Sequence, residues 1–133
     1  MFLLDTNVVS ETRKARPHGA AVAWLRSTKN SDLHVSAVTI GELQAGVEVT
    51  REQDSEKATE IETWIGHIAT TYNILPMDEA AFRYWARLMH RRPDDLIADA
   101  MIAATAKVHN LTVVTRNVRD FEPFDVPVLN PFR

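Results

Sequence analysis

Cysteine is absent from this 133-residue chain. That one absence removes disulfides, thiolate zinc sites and a cysteine nucleophile together. Long apolar runs are missing too: the longest are only a few residues, against the roughly 20 that span a bilayer. No charged n-region, apolar stretch and small-residue cleavage site opens the chain in the manner of a signal peptide. Positive charge is not in excess. Fifteen Lys and Arg stand against 18 Asp and Glu, a formal charge of −3, so nucleic-acid binding would need a local basic patch. The five histidines (His18, His34, His67, His90 and His109) share no ligand spacing such as H-x-x-x-H. Repeats, low-complexity stretches and linker composition are also lacking. With 45% hydrophobic and 25% charged residues, the expectation is one compact domain over residues 1–133 in a cytoplasmic setting.

What is present alternates. Short β-like runs lie at Phe2–Leu4, Leu33–Val35, Tyr72–Leu75 and Leu111–Val114, with a weaker one at Val126–Leu129. Helical stretches fall between them. Pro17 can open one that carries Ala21, Trp24 and Leu25, and Ser36 can cap one that holds Val38, Glu42, Leu43 and Val47. Glu56 to Ile68 shows helical spacing of Ile61, Trp64, Ile65 and Ile68. Asp78 can cap a helix burying Phe82, Trp85 and Leu88 or Met89, and Asp94 a last one over Asp95–His109. Strands alternating with helices imply a parallel sheet covered on both faces, where active sites gather at the carboxyl ends of strands.

Four carboxylates stand out against that pattern. Asp5 breaks the first apolar run in "MFLLDTNVVS", Glu42 interrupts "VTIGELQAG", Asp99 is the only charge in "LIADAMIAATA", and Asp120 follows a strand within "TRNVRDF". Carboxylates in apolar surroundings are costly unless paired or metal-bound. Each has a plain alternative: Asp5 as a helix cap, Glu42 as a solvated helix residue, Asp99 paired with a buried arginine, Asp120 as a turn residue. Taken jointly, acids converging on one cleft repel each other unless a cation neutralises them. Oxygen donors without histidine or cysteine suit Mg²⁺, or Mn²⁺ in its place, and such an ion serves phosphodiester hydrolysis.

Four blocks in order, "LLDTNVVSE", "VSAVTIGELQAGV", "IADAMIAATAKVHNLTVVTRNVRDF" and "VPVLNPF", resemble the PIN domain, in particular its bacterial VapC-like and FitB-like toxins. The similarity runs from Phe2 to Phe132. It implies a five-stranded parallel sheet flanked by helices on both faces and a Mg²⁺-dependent endoribonuclease. By position, Asp5, Glu42 and Asp99 match the family's three acids, with Asp5 and Asp99 as metal ligands. Thr6 and Asn7 match the polar pair after the first acid, and Thr115 the hydroxyl beside the site. Some relatives have an aspartate directly after "TR", where this chain has Asn117; others have "TRNxxDF", which makes Asp120 the fourth acid. The resemblance also implies a homodimer and a small VapB-like antitoxin that holds the toxin inactive.

Arg13, Lys14 and Arg16 follow the first helix, and Arg116 and Arg119 flank the Asp120 turn, so both groups are candidates to hold RNA phosphates. The cluster His90, Arg91 and Arg92 reads better as a helix C-terminus, and the three tryptophans as core or interface. Three functions compete: a toxin ribonuclease, a PIN-type RNA-processing nuclease without an antitoxin, and a non-catalytic binding module. A phosphatase with a nucleophilic aspartate would need a second aspartate where Asn7 stands.

Overall fold

The structure is a computed structural model describing residues 1–133. Its five strands are β1 (Phe2–Leu4), β2 (Leu33–Ser36), β3 (Asn73–Leu75), β4 (Thr112–Val114) and β5 (Val128–Leu129). They form one sheet in the order β3-β2-β1-β4-β5 with every pair parallel. The helices are α1 (Thr6–Glu11), α2 (Gly19–Ser27), α3 (Ala37–Arg51), α4 (Ser55–Thr71), α5 (Glu79–Met89) and α6 (Ile97–His109). The parallel sheet with helices on both faces is therefore borne out.

Strand alternation divides the core into two layers. Leu3 and Val113 point to one side, where they meet Ala100, Ile102, Ala103 and Ala106 of α6 with Phe121 and Phe124. Leu4, Val114, Leu33 and Val35 point to the other, against Val8 and Val9 of α1, Leu25 of α2 and Ile68 of α4. A short strand with both faces covered reads as an unbroken apolar run, which is why "FLL" and "VV" mark the two central strands.

Local chemistry sets the helix starts. Ser36 accepts the Val38 N–H at 3.1 Å, Asp54 the Lys57 N–H at 3.0 Å and Asp78 the Ala81 N–H at 2.9 Å, satisfying donors a first turn leaves free. At the far end of α6, Asn110 takes a left-handed φ of 55°, a conformation Asn tolerates better than most residues.

Several boundaries differ from the sequence expectation. β3 starts at Asn73, β4 at Thr112 and β5 at Val128. Gly19 rather than Pro17 opens α2, with His18 at its N-cap. Asp94 caps nothing: it begins a 3-10 turn, Asp94–Leu96, and α6 starts after it without a side-chain cap. Phe82 is 45% exposed, because the face of α5 turned to α6 is the one with Trp85, Leu88 and Met89. The basic cluster after α5 behaves as a helix terminus: Arg92 Nε donates to Leu88 O at 2.7 Å and its Nη2 to Pro123 O at 2.9 Å. No helix is long and apolar enough to cross a membrane.

Candidate active site

Leu4 of β1 is in register with Val35 of β2 and Val114 of β4, so the next residues, Asp5, Ser36 and Thr115, emerge together at one sheet edge. The chain runs outward from β1 to β2 and β3, then returns to β4 on the other side of β1. Asp5 thus stands where strand order reverses, the crevice at which parallel α/β sheets bind ligands.

Asp5 is only 7% exposed and densely bonded. Its carboxylate accepts the Thr6 N–H at 2.8 Å, Thr115 Oγ1–H at 2.8 Å and Asn7 Nδ2–H at 3.2 Å. The capping alternative for Asp5 is real, since it is the N-cap of α1, and it coexists with a place among the acids. Burial raises its pKa, the bonds from Thr115, Thr6 and Asn7 pull it back, and the charge of Asp120 pushes it up again.

Glu42 lies in the second turn of α3 and is an exposed residue, not the buried one its apolar neighbours suggested. Its carboxyl end is nevertheless partly desolvated, which raises its pKa, with Asp5 adding to the rise. Thr6 Oγ1 reaches both Glu42 Oε1 and Thr39 Oγ1 at 3.3 Å, tying α1 to α3.

Asp99, in the first turn of α6, is half-buried. No arginine pairs with it. Burial, then Asp5, Asp120 and Glu42, all act in one direction and push its pKa up to about 6. Asp120 is exposed, inside the 3-10 run Val118–Phe124 rather than at the strand end itself. Its backbone N–H closes a turn onto Asn117 O at 3.1 Å, so the turn reading also holds, yet its charge is felt at both Asp5 and Asp99. All four acids therefore share one electrostatic neighbourhood. They are not drawn tight: no group of three or more Asp, Glu, His or Cys side chains is close enough to chelate a metal.

The supporting polar residues form a net around Asp5. Asn7 Nδ2 also donates to Thr115 Oγ1 at 3.2 Å, and its Oδ1 accepts the Arg116 N–H at 3.1 Å. Thr115 Oγ1 accepts the Asn117 N–H at 3.0 Å. Sequence reasoning missed Thr39 in this net and, outside it, Glu11. Thr39 is fully buried and lies three residues before Glu42 on the same helix face, a spacing that was there to be read. Glu11 is buried within "VVSE", where it accepts the His18 N–H at 2.8 Å and pairs with Lys14 at 2.9 Å. The Lys14 bond, followed by the His18 bond, lowers its pKa.

The basic candidates divide. Arg13 lies 5.7 Å over the Trp64 ring, whose Nε1 donates to Thr12 Oγ1 at 3.0 Å, and Lys14 is engaged with Glu11. With Glu42 they line a cavity of about 350 Å³ that also has apolar walls of Leu43, Val47 and Ile61. Arg116 and Arg119 line a second cavity, also about 350 Å³, together with Asp120.

Comparison with known proteins matches this arrangement to one family. Residues 2–125 match the PIN domain. The chain is 38% identical to Toxin FitB of Neisseria gonorrhoeae, over 99% of both chains. It is 34% identical to VapC ribonuclease Y4jK of Sinorhizobium fredii, over 99% of this chain and 98% of that one. Its fold overlays the crystal structure of FitAcB from Neisseria gonorrhoeae with a TM-score of 0.87 and 37% identity, covering 100% of this chain and 99% of that one. With its family model matched over residues 2–125 and relatives this similar along their whole length, this chain belongs to the PIN domain family.

Proposed function

We propose that the protein is a metal-dependent endoribonuclease and the toxin of a toxin–antitoxin pair, hydrolysing RNA at Asp5, Glu42, Asp99 and Asp120. The observation that carries this reading is Asp99. It is half-buried among three other acids, without a cationic partner, and every influence on it disfavours its charge. An arrangement that unfavourable to the bare carboxylates fits a site completed by a cation. The relatives' names, a toxin and a ribonuclease, support the same reading.

The chemistry of the donors, rather than their present spacing, suits the ion. Four carboxylates with no nitrogen or sulfur donor suit Mg²⁺, with Mn²⁺ as a substitute. Asp5 and Asp99 are the residues to hold it, Asp120 supports a second ion, and Asn117 is a neutral oxygen donor nearby. When bound, Mg²⁺ neutralises the acids and the charge that builds on the scissile phosphate.

The chain's own residues supply the rest. The bonds from Thr115, Thr6 and Asn7 hold the Asp5 carboxylate in one orientation. Glu42, with its raised pKa, takes a proton from the attacking water. The water oxygen bonds to phosphorus as the P–O3′ bond breaks, and the leaving oxygen takes up a proton from solvent, giving 5′-phosphate and 3′-hydroxyl ends. Arg13, Lys14, Arg116 and Arg119 rim the site for backbone phosphates. A VapB-like antitoxin, a homodimer or toxin–antitoxin assembly and a cytoplasmic setting complete the proposal.

Growth tests the toxin reading. Induced expression of the wild-type chain in a bacterial host should arrest growth, and Asp99→Asn should relieve the arrest. Arrest by both proteins alike, or by neither, would count against it.

A further inference from the structure

The two cavities beside the acids differ in chemistry. The one at Glu42 has three apolar walls and two cations, of which Lys14 is already paired with Glu11. The one at Asp120 is lined by Arg116, Asn117, Arg119, Asn130 and Arg133 as well, with Val118 its single apolar residue. None of these three arginines makes an ion pair, and Asp120 is the only acidic side chain in the lining.

The arginine cleft is also built rather than incidental. Arg116 lies 4.5 Å over the Phe132 ring, and Phe132 stacks edge-on to His18 at 5.2 Å. Asn130 Oδ1 accepts the Phe132 N–H at 2.9 Å, fixing the turn that leads to Arg133. One of the four acids, Asp120, lines this cleft, and a hydrogen-bond chain ties the cleft to a second. Asn117 donates to Thr115 Oγ1, which donates to Asp5, and Asp120 acts on Asp99.

We infer that this cleft, with Arg119 and Arg133 as principal contacts and Arg116 held by Phe132, is the site where the RNA backbone is gripped beside the scissile phosphate. The Glu42 cavity does not share that task equally. The inference rests on the nuclease reading and adds an asymmetry to it: backbone phosphates are held on the Asp120 side. Three unpaired guanidinium groups around one polar hollow match successive phosphodiesters, which Arg binds bidentately. The lone acidic side chain among them, Asp120, is the one whose charge acts on Asp5 and Asp99, which puts the scissile phosphate on that side.

Binding of a labelled 20-nucleotide single-stranded RNA in EDTA tests this without any cleavage. Arg119 and Arg133 are exposed, so their removal leaves the core intact. The double variant Arg119→Ala/Arg133→Ala should bind roughly tenfold more weakly. Its salt slope should fall by about 1.4, from two contacts at about 0.7 each. Arg83→Ala, on the exposed surface of α5, should bind like wild type, and Arg13→Ala should lose less than the double variant. A matched DNA strand that loses affinity through the same two arginines would support a contact to phosphate rather than ribose. Unchanged RNA binding by the double variant, or a larger loss in Arg13→Ala, would overturn the assignment. So would binding of a polyglutamate peptide with no binding of RNA. Unchanged binding beside intact Mg²⁺-dependent cutting would remove the cleft and leave the nuclease; binding lost as expected without any cutting would do the reverse.

Discussion

Thr115 Oγ1 donates to Asp5 Oδ2 at 2.8 Å, joining residues 110 positions apart in the chain. The two come together because Leu4 and Val114 are partners across β1 and β4, at the place where strand order reverses. The bond lowers the pKa of a carboxylate that burial raises. It therefore links the register of the central strands to the charge state of the site.

Thr115→Val keeps the side-chain shape and removes the hydroxyl. Asp5 loses a donor, while Asn7 Nδ2 and the Asn117 N–H lose an acceptor. A buried polar group left unpaired costs about 1–3 kcal/mol, so denaturant unfolding should show a loss in that range. The Asp5 pKa should rise, and cleavage should fall further at pH 6 than at pH 8. A uniform loss across pH would contradict the role given to this bond.

Asp99 gives a pH signature in metal-free buffer. Its folded pKa, about 6, lies above the reference 3.8, so the folded state favours the protonated form. Stability from this group is full below about 4 and is lost as pH rises through about 6. Asp99→Asn, neutral throughout, should therefore have a higher Tm than wild type at pH 8, and the gap should close toward pH 4. Mg²⁺ should raise the wild-type Tm at pH 8 and do less for the variant. A gap that does not change with pH would contradict the electrostatic account.

Leu3→Ala probes the scaffold without touching the site. Leu3 is fully buried in the central strand and packs into the cluster of α6, Phe121 and Phe124. Truncating such a residue costs about 2–5 kcal/mol. Chemical denaturation should show that loss, while the folded fraction keeps its metal affinity.

Much of this was written in the linear pattern. "FLLD" marks a short strand covered on both faces and ended by an acid, and β1 is the central strand with Asp5 at its edge. Ser36 and Asp78 cap as their positions suggest. Burial was harder to read. Asp99 sits in a largely apolar helix because α6 lies between the sheet and α5, yet its carboxylate is only half-covered. Glu42 has apolar neighbours for a related reason: Leu43 and Val47 face α4, while Glu42 turns toward Thr6. The occupation of Lys14 by Glu11 depends on the fold of the loop after α1, where no periodic signal exists.

The nuclease reading is tested most directly by cleavage of purified bacterial tRNA and ribosomal RNA, comparing wild type with Asp5→Asn in Mg²⁺ and in EDTA, with fragment ends mapped. Asparagine retains the cap on α1, so the variant should fold. Cutting is expected only from wild type in Mg²⁺, leaving 5′-phosphate and 3′-hydroxyl ends. Equal cutting by both proteins, ends carrying 2′,3′-cyclic phosphate, or no cutting by wild type with Mg²⁺ bound would contradict it.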